Sequence, residues 1–205
     1  MTRLFFLIFL CFHLSAFSQA TEQGSNRKVA YEQINTLKNS VLLVRLHTDE
    51  AIVAEMKKKG QNKLLKEKLK ELKAQNKEAY MAFTTNYTFT SVYFFYARTS
   101  DSIRNRELKN IFIGPDLKVD TSISLPSDQS IFIIDVGDIY FEAFAGHFEG
   151  MIVMDDQFVP LKKPFPYYVR KRSGFAIVKR SDVSMVQIFQ RKFEEFLEES
   201  KSPRH

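Results

Sequence analysis

The chain has 205 residues, 30 Lys and Arg against 24 Asp and Glu, a net charge of +6, and one cysteine. That cysteine, Cys11, lies in an N-terminal apolar run, so the remainder carries no thiol; disulfides, thiolate metal sites, cysteine nucleophiles and dithiol redox chemistry are excluded from it. The excess charge is concentrated, since nine lysines and only four glutamates lie between Glu55 and Glu78.

Residues 1–18 read as a secretory signal peptide, with Arg3, an apolar core from Leu4 to Phe12, and small residues at Ala16 and Ser18. Cleavage is expected after Ser18 or Ala20. The apolar core is about half of the roughly 20 residues needed to cross a bilayer, and no later segment reaches that length. The expectation is a secreted or periplasmic protein with no integral membrane span after signal cleavage. A basic export meets an envelope protein or an anionic polymer rather than nucleic acid.

Residues 19–38 are polar and read as a flexible lead-in, with at most a turn of helix from Tyr31 to Leu37. A single α/β domain is expected over 39–200, with 201–205 as a disordered tail. "SVLLVRLH", Ser40 to His47, is a short apolar run of the kind that forms a buried strand. Thr48 and Asp49 offer an N-cap, Glu50 supplies negative charge to the first helical turn, Lys57 to Lys59 supply positive charge to the last, and Gly60 terminates the helix. From Gln61 to Asn86, Leu65, Leu69, Leu72, Ala79 and Phe83 form a narrow apolar seam on one long charged helix, with Asn76 in its gap.

Further strands are expected at Ser91 to Ala97, Asn110 to Gly114, Ser130 to Val136, Ile139 to Phe144 and Met151 to Asp155, with a short helix at Asp101 to Leu108. A hairpin follows, Tyr167 to Lys171 and Phe175 to Arg180 around Ser173 and Gly174. Ser181 then caps a last helix whose Met185, Phe189, Phe193 and Phe196 or Leu197 form a broad apolar face. The acids at its far end suggest a pairing with the lysine-rich helix. Helix-separated strands early and close-spaced strands late give a mixed β-sheet covered by helices.

This order of elements, with "VYFFYA", the polar junction "FYARTSDS" and Pro166 in "PFPYYV", resembles a thioredoxin-like fold. Ser100 and Ser102 stand near where that family places its dithiol, and Pro166 where it often has a cis proline. Redox activity is not implied, because that chemistry needs a thiolate. The stretch "VMDDQFVPLKKPFPYYV" is similar to small exported bacterial proteins of unassigned function, which implies an envelope location.

Two site readings follow. The first is a non-catalytic binding or assembly surface, in which Lys63, Lys66, Lys70 and Lys73 on one face of the long helix contact an anionic ligand or partner. The second is a hydrolase-type edge at the carboxyl ends of parallel strands, formed by His47, Arg98 and Asp135, with Asp155 nearby. Asp135, Asp138, Glu142, Glu149, Asp155 and Asp156 read mainly as turn formers, and His147 as a loop residue. There is no paired-histidine motif, EF-hand loop, P-loop, G-x-G-x-x-G or G-x-S-x-G, so no metal or cofactor is expected.

Overall fold

The structure is a computed structural model and describes residues 25–141, 146–172 and 178–202. The run "SVLLVRLH" supplies an interior strand, β1 (Val41–Leu46), in which Leu42, Leu43 and Val44 have no exposed surface. Burial on both sides is what a strand inside a parallel region requires. β1 pairs in parallel with β2 (Ser91–Tyr96) and with β3 (Ile131–Phe141). β3 then pairs antiparallel with β4 (Gly146–Met154), and β4 with β5 (Tyr168–Arg170). The order β2-β1-β3-β4-β5 is the expected mixed sheet.

The β1 to β2 crossover carries α2 (Glu50–Lys58) and α3 (Asn62–Asn86); the β2 to β3 crossover carries a 3-10 turn (Ala97–Thr99), α4 (Ser100–Arg104) and the segment 105–130. These crossovers step in opposite directions along the sheet, the first from β1 to β2 and the second from β2 past β1 to β3, so right-handed connections place them on opposite faces. Adjacent β2 residues report both faces. Phe94 lies 4.2 Å from Tyr80 and 6.4 Å from Phe83 on α3, whereas Phe95 turns to the other face and lies 6.3 Å from Phe158.

On the α3 face, α5 (Asp182–Lys201) buries Met185, Val186, Phe189, Phe193, Phe196 and Leu197, and the Ser181 hydroxyl caps it by accepting from the Ser184 N–H at 3.2 Å. The stretch read as a flexible lead-in is instead, over 25–38, helix α1. Its Ala30, Ile34 and Leu37, spaced four and three residues apart, are fully buried. Tyr31 packs 5.3 Å from Phe196, and Arg27 pairs with Glu199. Three apolar residues in a polar stretch suffice because the core of the domain provides the surface they need.

Other boundaries also move. The two strands expected around Gly137 are one strand, so Asp138 is not a turn former but lies in β3 opposite Glu149; residues 142–144 lie outside the described residues. His147 lies in β4 opposite Tyr140 rather than in a loop. Segment 110–114 forms only isolated bridges, Phe95 to Phe112 and Ile113 to Val119, which cover the outer edge of β2. α4 ends at Arg104, and Arg106 has φ 61. The hairpin turn and the first half of its second limb lie outside the described residues, as do 203–205. The α5 acids do not pair with the α3 lysines: Glu199 serves Arg27, Glu198 Lys201 and Glu195 Arg191. The cis peptide is Lys163–Pro164, not the bond before Pro166, and the junction after β2 follows an edge strand.

Candidate functional site

Residues 45 and 47 share a face because side chains alternate along an extended chain. That face brings Arg45 and His47 onto Asp135, which stands beside Arg45 in the β1–β3 register. Arg45 Nη1 donates to Asp135 Oδ2 at 3.0 Å, and His47 Nε2 lies 3.2 Å from Oδ1. The second contact lacks the alignment of a full hydrogen bond and becomes an ion pair when the imidazole is protonated. Asp135 raises the His47 pKa above its ordinary 6.5, against the opposing effects of burial and Arg45. Burial pushes the Asp135 carboxyl upward, but His47 and Arg45 together hold it below its ordinary 3.8.

Two residues fix this geometry. Asn76, buried in α3, accepts from the His47 N–H at 3.1 Å and donates to its carbonyl at 2.9 Å. The gap in the leucine seam is thus a clamp on the strand end, satisfying two backbone groups that leave the ladder there. Gly137, at φ 141, lets the imidazole lie on the β3 backbone: a Cβ there would stand 3.1 Å from His47 Nε2. At the crevice beyond the ends of β1 and the parallel part of β3, where ligands often bind in such sheets, the histidine lines a cavity of about 490 Å³ together with Arg45, Val136 and Gly137.

Of the expected His47, Arg98 and Asp135 group, the structure unites His47 and Asp135. Arg98 is not part of that cluster; it lies over the Tyr96 ring at 4.9 Å and lines a neighbouring cleft. The guanidinium that reaches Asp135 belongs to Arg45, which the apolar run conceals, although strand alternation from His47 would have found it. Asp155 serves a turn, accepting from the Gln157 and Val159 N–H groups at 3.0 and 2.8 Å. Among the described residues no group of three His, Cys, Asp or Glu is placed to hold a metal ion, and no helix is long and apolar enough to cross a membrane.

The neighbouring cleft, about 640 Å³, lies between the α2–α3 hairpin and the end of β2. Asp49 begins the hairpin in left-handed conformation without a side-chain cap; its carboxylate instead takes Lys68 of α3 at 2.9 Å. The first buried residue of α3 is Leu72, so the earlier turns stand clear of the sheet and form one wall. Tyr96 fixes the other by donating its hydroxyl to the Leu117 carbonyl at 2.7 Å, which holds the 116–118 turn over the strand end. Lys57, Lys73, Arg98 and Lys118 line the cleft against Glu50 and Asp116.

Lys63, Lys66, Lys70 and Lys73 are all exposed on α3, spaced three, four and three residues apart, which is the repeat of one helix face. None has an ion-pair partner among the described residues, whereas Lys68 is tied to Asp49 and Glu71, and Lys59 of the preceding turn to Glu55. Comparisons with protein-family models, curated proteins and solved structures found no match to this chain.

Proposed function

We propose that the protein is a non-catalytic binding or assembly component that engages an anionic polymer or the acidic face of an envelope protein through the α3 lysines. The supporting observation is the difference in pairing along one helix: Lys68 has two carboxylates within reach, while Lys63, Lys66, Lys70 and Lys73 have none among the described residues. Exposed ion pairs contribute roughly 0 to 1 kcal/mol each, so four lysines left free at little cost to the fold are available to a partner. The signal-like residues 1–18 support a secreted or periplasmic setting. Reversal of the four lysines to glutamate, followed by crosslinking in the envelope of a producing cell, tests this. Loss of the crosslinked species with an unchanged melting temperature is expected; an undiminished species contradicts the reading.

The His47–Asp135 contact favours a second reading, a hydrolase-type edge, because a histidine oriented by a carboxylate is a proton-transfer group. Arg98, which borders the adjoining cleft, would then hold an anionic substrate group. Under this reading His47→Gln and Asp135→Asn abolish function while the chain remains folded; under the first, function survives wherever folding does.

A further inference from the structure

Two cavities flank the α2–α3 hairpin, and their charges are arranged differently. The cations that line the cavity of about 490 Å³ are all paired, Arg45 with Asp135 behind the wall, Lys68 with Asp49, and Lys171 with Glu149 and Asp182, and Glu78 adds a further carboxylate. A charged ligand there would have to break these pairs. In the 640 Å³ cleft the balance is the reverse. Lys118 has Asp116 at 3.7 Å, but Lys57, Lys73 and Arg98 have no ion-pair partner among the described residues and outnumber the one other lining carboxylate, Glu50.

The same cleft carries apolar surface. Val53, Leu69, Leu72 and Leu117 line it together with Tyr96, and Leu69 is 47% exposed although it belongs to the apolar seam of α3. A concave space of several hundred Å³ with apolar walls and a few convergent polar groups has the character of a small-molecule site. It lies at the carboxyl ends of β1 and β2, where the sheet topology leaves strand ends open to ligands.

We infer that this cleft binds a small amphiphilic anion, whose phosphate or carboxylate head pairs with Lys57, Lys73 and Arg98 and whose apolar body lies along Leu69, Leu72 and Leu117. The unpaired cations set the sign of the head group. The leucines require a body that inorganic anions lack. Lys73 borders both this site and the outer lysine face, but Lys63, Lys66 and Lys70 do not line the cleft, so the two can be tested apart.

Titration calorimetry of the purified protein with octyl phosphate, inorganic phosphate and octanol tests the inference. Saturable binding of octyl phosphate is expected, at least about tenfold tighter than either half alone, with a loss of about tenfold in K57Q/R98Q and no change in K63Q/K66Q/K70Q. Leu69→Glu, which places a carboxylate on an already exposed wall position, should weaken binding similarly and provides an independent variant should the double substitution disturb folding. Non-saturable heat, equal binding of octanol, or an equal loss in the outer-face variant would overturn the site. Loss of partner crosslinking in a reversal limited to Lys63, Lys66 and Lys70, which leaves the cleft cations in place, bears on the proposed assembly role alone.

Discussion

The imidazole of His47 lies 3.2 Å from the carboxylate of Asp135, joining the end of β1 to β3 while Arg45 holds the other oxygen of the same carboxylate. The pH behaviour of the fold follows from this relationship. The His47 pKa is raised above 6.5, so its contribution to stability is fully present below pH 6.5 and is lost as pH rises through the higher folded value. The Asp135 pKa is depressed below 3.8, so its contribution is present above pH 3.8 and is lost as pH falls through the lower folded value. Urea midpoints of wild type and His47→Gln should therefore differ most between about pH 4 and 6.5 and converge at alkaline pH. A difference independent of pH would show that the charge of His47 plays no part.

Asn76→Leu separates a clamp from a seam. If position 76 were only a gap in the apolar stripe, leucine would improve packing. Because Asn76 bonds both backbone groups of His47, the substitution should instead destabilise the fold by about 2 to 4 kcal/mol in urea denaturation, the scale of leaving two partly buried polar groups unpaired.

Gly137→Ala should cost about 1 to 3 kcal/mol, because φ 141 is unfavourable for a residue with a side chain and the new Cβ would press on His47. The accompanying change should be local. Amide exchange at the end of β1 should accelerate more than exchange in α5.

Ile34→Ala tests whether α1 belongs to the domain. A fully buried isoleucine facing the core should cost about 2 to 4 kcal/mol when truncated. A flexible lead-in would lose almost nothing.

Asp182, buried at the start of α5, has its pKa raised by burial and by the neighbouring Glu78, with Lys171 opposing. A raised carboxyl pKa makes stability fall as pH rises from 3.8 through the folded value, the opposite sense to Asp135. Asp182→Asn should accordingly raise stability at pH 7 by up to about 1 kcal/mol, since Lys171 retains Glu149 at 3.1 Å. The gain should shrink towards pH 4.

What was legible in the sequence was local. The run at 41–46, the Gly60 stop, the long helix to Asn86 and the Ser181 cap were written in periodicity and cap chemistry, and together they sufficed for the mixed, helix-covered sheet. Locally Gly137 marks a break between two strands; its reason for standing inside one strand, the imidazole packed upon it, comes from a residue ninety positions away. α1 escapes a local reading for the same cause, since Ala30, Ile34 and Leu37 form a face only once the core is there to bury it. Asn76 showed itself as an interruption of a pattern, but nothing local says what an interruption bonds to. His47 and Asp135 were found together because both end a parallel strand segment, whereas Arg98 lies beyond an edge strand and faces a different space.

The central claim, that the free lysines of α3 make the contact surface, is tested most directly by the salt dependence of binding to dextran sulfate for wild type and for the Lys63→Glu, Lys66→Glu, Lys70→Glu variant. The account predicts saturable wild-type binding that weakens steeply as salt is raised from low ionic strength, and almost none for a folded variant. Binding that survives the reversal and ignores salt would contradict it.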